Sequence, residues 1–575
     1  MVPVVAPFYP MSQPGLTPVA RRYRLAACTG WCAQGDRAMG MLNKVVLLVS
    51  LGAAGGAQAQ LDPIFARWTA DTPGCVVGVA QNGKPALINA YGSADLEHGV
   101  PNTPDTIFEA GSVSKQFTAA AVLLLAQDGK LSLDDPVRKY IPELPDYGQP
   151  LTIRHMLNHT SGLRDWGSVA ALMGWPRGSR TFDHAQVLEI VARQRKLNFA
   201  PGTRWSYTNT GYNLAAIIVE RVSGQSFPEF TRARIFAPLG MHDSGWRDDY
   251  ARIVKRRAVA YEKTARVYRQ NMPFENAFGN GAMLTTVADL LKWNANFSDP
   301  VVGGTQLVAA LQQAGKFNDG TAHDYGLGLV ADQYAGTAWI QHGGATAGYR
   351  AFLSRLPDKH LSVALLCNAA DANTGAMVRE IHAALLPGAP PAPVPPGVDV
   401  DLARIDARQG MYRDDAGRTL TFTPLGDGLE AGGRRYRALD AARMQNPGGD
   451  IATFGAPGKL TVSDRFGRLT VYRRVAPVVA LPDARALREL VGSYYSADAG
   501  ATWTVYAEGG KLQARHRAGL AVALTPSYRD GYTVPGGMVL FRRDGAGRVN
   551  GLSAVNDRVW DMPFKKLGAT AASSR

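Results

Sequence analysis

The sequence is short of cysteine: Cys28, Cys32, Cys75 and Cys367 are all it has in 575 residues. No group of Cys and His has zinc-ligand spacing, which argues against a finger-type metal site. No metal and no cofactor are expected. Long apolar runs are also missing. Val45–Leu51 is too short to span a bilayer, so no stable membrane anchor is expected. Basic blocks are missing as well. The net charge is +14, yet the arginines are dispersed, with nothing longer than Lys255-Arg256-Arg257. Without the first 59 residues, which hold five basic side chains and one acid, about +10 remains. A dispersed excess of this kind reads as a solvated surface, and no nucleic acid is expected as a partner.

The chain divides by composition. Residues 1–59 read as leader and signal peptide. Met41-Leu42-Asn43-Lys44 is a short positive start, and Ala57-Gln58-Ala59 is a small-residue cleavage site. Residues 1–40 lack apolar periodicity, so the expected initiator is Met39 or Met41. This predicts a periplasmic or secreted protein. Residues 60–387 mix helical and strand periodicities. The segment 388–400 is proline-rich, with six prolines in the eleven residues Pro387–Gly397, and reads as a semi-rigid spacer. Beyond it the strings TLTFTPL, KLTVSD, TWTVYAE and MVLFRRD alternate between glycine-rich turns, an all-β signature. The tail also repeats itself. Gly410-Met411-Tyr412 returns as Gly492-Ser493-Tyr494, and Asp464–Leu469 as Asp544–Val549, both about 80 residues on. Two small barrels over 401–476 and 483–568 are expected; the rival is one larger barrel.

Three short strings carry chemistry. In Ser112-Val113-Ser114-Lys115 the serine opens a helical run, QFTAAAVLLLAQ, whose stripe is Phe117, Val122, Leu124 and Leu125, with Gly129 as its stop. Lys115 lies one turn on, on the same face. A serine hydroxyl is a poor nucleophile until a base takes its proton, and a lysine serves only if burial or nearby positive charge lowers its pKa. In Tyr207-Thr208-Asn209 two side chains on an extended loop point the same way. The tyrosine can relay a proton and the asparagine can bond both the lysine and a substrate carbonyl. In His342-Gly343-Gly344 a strand is expected to meet a tight glycine pair, where substrate can approach the backbone. The amides of Ser112 and Ala345 are candidate oxyanion donors. Alone, each string has a bland reading: an N-cap serine with a solvated lysine, an Asx-type turn, and a buried histidine at a bulge. Together and in this order they mark a serine acyl-transfer site.

With these motifs the chain resembles the serine hydrolases built like class C β-lactamases and penicillin-binding D,D-peptidases. The resemblance covers residues 62–387 and includes LTIRHMLNHTSGL at Leu151–Leu163, GKLSLDDPVRKYIPEL at Gly129–Leu144 and GNGAMLTTVADLLKW at Gly279–Trp293. It implies an α+β catalytic domain with an antiparallel sheet flanked by helices, followed by all-β, lipocalin-like barrels. It implies Ser112 as the acylated nucleophile, Lys115 and Tyr207 sharing general-base work, Asn209 orienting lysine and substrate, and His342 lining the far wall with Gly344 and Ala345. Many relatives have lysine where His342 stands. A histidine is mostly neutral near pH 7, so weaker carboxylate recognition is expected than in an efficient β-lactamase.

The architecture is similar to the D-aminopeptidases of this family, in which a loop of the last barrel reads the substrate amine. The corresponding stretch here would be Ser527–Met538, offering Asp530. The expected substrate is a small molecule or short peptide, a D-amino-acid amide above all. The alternatives are a carboxylesterase, a weak β-lactamase or D,D-peptidase, and, more remotely, a non-catalytic ligand-binding scaffold. Cys75 and Cys367 lie in apolar strand-like runs, and either a disulfide or two buried thiols suits them. No oligomeric state is legible.

Overall fold

The structure is a computed structural model, described over residues 58–386, 406–464, 469–478, 483–517 and 520–568. The leader, apart from its last two residues, and the proline-rich segment lie outside the described residues. Among the described residues no helix is long and apolar enough to cross a membrane.

A six-stranded antiparallel sheet organises the first part. Its order is Val330–Tyr334, Thr337–Thr346, Tyr349–Leu356, Leu361–Cys367, Cys75–Gln81, Lys84–Tyr91. An early strand is therefore inserted beside a late one. Cys75 pairs with Cys367 in that register, and their sulfurs form a disulfide, which decides between the two readings of the sequence. Both faces of the sheet are covered, as its continuous apolar strands require. Helix Val287–Ala295 packs on one face over Gly78, where an added Cβ would meet Leu291 and Val287 at 3.0–3.3 Å. Helix Thr374–Leu385 covers the other.

Helix Lys115–Gln127 packs against helix Thr210–Ser223. A one-sided stripe is too narrow a description of it. Every residue from Lys115 to Leu125 is buried, so the run AAAVLLL is apolar all round because its surroundings are. Its end follows the sequence signal: Asp128 caps it and Gly129 follows at φ +71°.

The tail forms two closed eight-stranded antiparallel barrels, not one larger barrel. The first runs from Gly410–Asp414 to Leu469–Val475 and the second from Gly492–Ser496 to Met562–Lys566. The Gly-x-Tyr repeat has one structural meaning in both. Tyr412 donates to the carbonyl of Arg408 at 2.9 Å and Tyr494 to that of Leu490 at 2.7 Å, each four residues upstream. The other repeat falls partly on residues 465–468, outside the described set.

The two barrels differ in how they pack. The first has its own core around Tyr412, Phe422 and Met444. The core of the second, with Trp503, Val505 and Leu552, is continuous with that of the catalytic part. Polar contacts fix this docking. Trp503 Nε1 donates to Leu172 O at 2.8 Å. Arg164, itself buried, donates to Asp498 Oδ2 at 2.7 Å, to Asp561 O at 2.6 Å and to Gln194 Oε1 at 3.0 Å. A buried arginine left without such partners would be strongly destabilising.

Candidate active site

The three motifs converge on one cleft of about 630 Å³, lined by Ser112, Tyr207, Asn209, His342, Gly344 and Ala345 among others. Ser112 stands in the short 3₁₀ turn Gly111–Ser114, just before helix Lys115–Gln127. Gly111 has φ +50°, and a Cβ there would lie 2.7 Å from Ala345 N. A Cβ on Gly344 would lie 2.1 Å from Ala110 O. Two missing side chains thus let the nucleophile turn and the strand Thr337–Thr346 abut backbone to backbone, which brings the Ser112 and Ala345 segments together. The glycine pair makes neither a turn nor a bulge. The strand runs straight through His342-Gly343-Gly344 in unbroken register with Tyr349–Leu356. The close approach that the glycines allow is that of the backbone at Ala110 and Gly111.

Lys115 has no exposed surface. Its Nζ has three oxygen neighbours: Ser112 Oγ at 3.1 Å, Asn209 Oδ1 at 3.0 Å and the carbonyl of Asn280 at 2.6 Å. Burial above all, then the charges of Arg558 and Arg177, hold its pKa well below that of a free lysine, against the pull of Asp165. A neutral amine has two N–H groups and one lone pair. Two of its neighbours are amide carbonyls, which only accept; the third is a hydroxyl, which can donate. The arrangement is satisfied when both N–H groups go to Asn209 and Asn280 and the lone pair faces the serine hydroxyl.

Asn209 is held for this task. It precedes helix Thr210–Ser223 but its side chain does not cap that helix. Its backbone N–H donates to Asp165 Oδ2 at 2.8 Å, and its side-chain Oδ1 accepts from Lys115. Asn280 is fixed through Asn213, whose Nδ2 donates to Asn280 Oδ1 at 2.7 Å.

Tyr207 has its pKa pushed up to about 12, chiefly by burial, with a hydrogen bond to Ser112 working the other way. A phenol at that level keeps its proton near neutrality. His342 Nδ1 is 2.7 Å from Gly343 O and its Nε2 2.9 Å from the Tyr325 hydroxyl. The carbonyl can only accept, so Nδ1 carries the proton and Nε2 accepts from the tyrosine. Burial, then the nearby Lys115, lowers the His342 pKa to about 4. The far wall is therefore neutral at that position.

Asp530 stands elsewhere. It occupies the turn between strands Leu520–Tyr528 and Gly531–Val534 at φ +61°. Arg543, on a neighbouring strand, binds its carboxylate at 2.9–3.2 Å. It does not line the cleft. The far end of the same stretch, Val534–Met538, lines a separate cavity of about 440 Å³ between this barrel and helix Trp166–Leu172. The barrel does reach the cleft, but through the turn between strands Val549–Val555 and Met562–Lys566, with Arg558. The sequence offered no motif that singled out Arg558, Arg177 or Tyr325, which line the cleft from three distant stretches of the chain.

Residues 61–386 match the family described as Beta-lactamase. The chain belongs to the β-lactamase family. Among β-lactamase-family relatives, a D-aminopeptidase of Brucella melitensis is 27% identical over 86% of this chain and 96% of its own. A D-aminopeptidase of Cereibacter sphaeroides is 28% identical over 76% and 82%. The penicillin-binding protein homologue of Pyrococcus abyssi, described as octameric, has a similar fold, with TM-score 0.52 and 22% identity over 81% of this chain and 98% of its own. The fold of D-amino acid amidase from Ochrobactrum anthropi is also similar, with TM-score 0.50 and 24% identity over 58% and 98%. This β-lactamase-family chain is accordingly a serine hydrolase.

Proposed function

We propose that the protein is exported and hydrolyses amide or peptide bonds of small D-configured substrates through an acyl-enzyme at Ser112. One observation carries the reading: Ser112 Oγ lies 3.1 Å from a buried amine whose other two neighbours are carbonyls. Lys115 takes the serine proton as Oγ attacks the substrate carbonyl. The backbone N–H groups of Ser112 and Ala345 hold the oxyanion, at about 3 kcal/mol of barrier per donor. Tyr207, still a phenol, donates its proton to the departing amine and is reprotonated through Lys115. The amine leaves, and water, deprotonated by the same lysine, releases the acid and restores the serine.

The D-aminopeptidase names of the relatives support the D-amide class. Export is supported by the leader-like residues 1–59 and by the Cys75–Cys367 disulfide, a bond that persists in oxidising compartments. A second reading, an esterase or weak D,D-peptidase, is favoured by one feature: no Asp or Glu lines the described cleft to receive a substrate ammonium.

The test is a fluorophosphonate label read by peptide mass, alongside D- and L-aminoacyl p-nitroanilides, p-nitrophenyl esters and nitrocefin. A covalent adduct on Ser112, lost in Ser112→Ala, with turnover of D-anilides is expected. Ester turnover without D-anilide turnover selects the second reading. Absence of any adduct would refute both.

A further inference from the structure

The side chains that line the cleft have charge of one sign. Three arginines, Arg177, Arg350 and Arg558, reach it, and no carboxylate does among the described residues. Their charges are not equally available. Arg177 is held by both oxygens of Glu275, at 2.7 and 2.6 Å, and is neutralised there. Arg350 donates through one nitrogen to the carbonyls of Ala347 and Tyr349, so its charge has no counter-ion in those bonds.

Arg558 is different again. It faces Asp165 at 3.6 Å, too long for a hydrogen bond. Asp165 already accepts from the backbone N–H groups of Asn209 and Ser168. The Arg558 side chain is 40% exposed, and its guanidinium lies over the Tyr207 ring, 5.1 Å from the centroid. Its backbone is what docks it: Arg558 O accepts from Asn198 Nδ2 at 3.0 Å and from Asp165 N at 3.4 Å. The anchor is in the main chain, and the charged end lies over the Tyr207 ring, ion-paired with Asp165 at 3.6 Å but at no hydrogen-bonding distance from it.

We propose that Arg558, supplied by the second barrel, is a specificity-determining residue that binds a carboxylate on the leaving half of the substrate. The inference rests on the hydrolase reading, with Tyr207 as the group that protonates the leaving atom. A cation stacked on that ring stands beside the departing half, not the acyl half. A guanidinium with unused N–H groups and a planar fork fits a carboxylate in two-point contact. The preferred substrate class is thus a peptide, or a like molecule, whose departing residue carries a free carboxylate, over a simple amide or neutral ester. This also revises the expectation drawn from His342: the positive charge that a lysine would have supplied on the strand comes from the barrel instead.

The test compares two acetyl esters that differ only in the leaving group, 3-hydroxybenzoate and 3-hydroxybenzamide. The readout is the concentration of each that halves the rate of fluorophosphonate labelling at Ser112, which needs no particular acyl preference. The full chain should respond to the carboxylate ester at a concentration about tenfold lower than to the amide, the low end for a partly exposed charged hydrogen bond. That ratio should shrink below about threefold in Arg558→Ala, recover in part in Arg558→Lys, and fall as salt is raised. Equal potency of the two esters in the unaltered protein, including no competition by either, overturns the proposal. So does a ratio that survives in Arg558→Ala, which would make the residue a general support of the site. Failure of Ser112 to take any label would instead remove the hydrolase reading itself.

Discussion

Replacing Asn209 with aspartate tests the central feature of the site, the lowered pKa of Lys115. The two side chains have the same shape. One acceptor oxygen stays within 3.0 Å of Lys115 Nζ, but it now carries negative charge. An opposite charge this close favours the protonated lysine and raises its pKa. Lys115 starts well below the free-lysine value because burial and the charges of Arg558 and Arg177 disfavour its cation. A base must be unprotonated to act, so on the acid side of its titration each unit of upward shift removes about tenfold of activity. Near neutral pH, Asn209→Asp should therefore lose up to about a hundredfold in kcat/KM and recover as pH rises. The assay is a pH profile of kcat/KM for both proteins on the same ester. An ascending limb at the same pH in both would refute the reasoning. A uniform loss at every pH would also refute it, because Asn209 would then act on geometry and not on the charge of the lysine.

Three further outcomes are expected. Gly344→Ala would place a methyl 2.1 Å from Ala110 O, so the strand must shift away from the nucleophile turn; at least a hundredfold loss of kcat with an unchanged far-UV spectrum would bear this out, and near-native kcat would show that the close approach is not needed. His323, His342 and His382 are buried and each has its pKa lowered to about 4. The unfolded chain binds protons near 6.5 and the folded one does not, so stability is full above that value and falls from pH 6.5 toward 4, by at most about 3 kcal/mol per histidine. Calorimetry showing a flat Tm across that window would contradict it. Cys75→Ser with Cys367→Ser removes a cross-link closing 292 residues of chain and should cost about 2–5 kcal/mol; denaturant unfolding with an unchanged midpoint would show that the bond adds nothing.

The nucleophile turn, its helix and the stop at Gly129 were legible because local rules set them: a run of helix formers, a lysine one turn beyond the serine, and a glycine free to take a left-handed φ. The β-rich tail and its repeat were legible for a similar reason, since alternation and turn glycines recur with their own period. Asn209 was legible only in part. Its type and place were evident, but not that the distant Asp165 would hold its backbone N–H. The glycine pair after His342 was legible as a place of close approach but not its partner, because sequence shows that a Cβ is missing and does not show which backbone would strike it.

What the chain determined by itself is the chemistry available: one hydroxyl, one amine, one phenol and one amide in a fixed order along it. Tertiary structure alone lowered the pKa of that amine, because a pKa depends on burial and on charges that arrive from anywhere in the molecule. It also decided the charge of the cleft. Asp530 was drawn off by Arg543 within its own barrel, while Arg558, some 350 residues beyond Tyr207, was carried over the catalytic ring by a docking that no local pattern encodes.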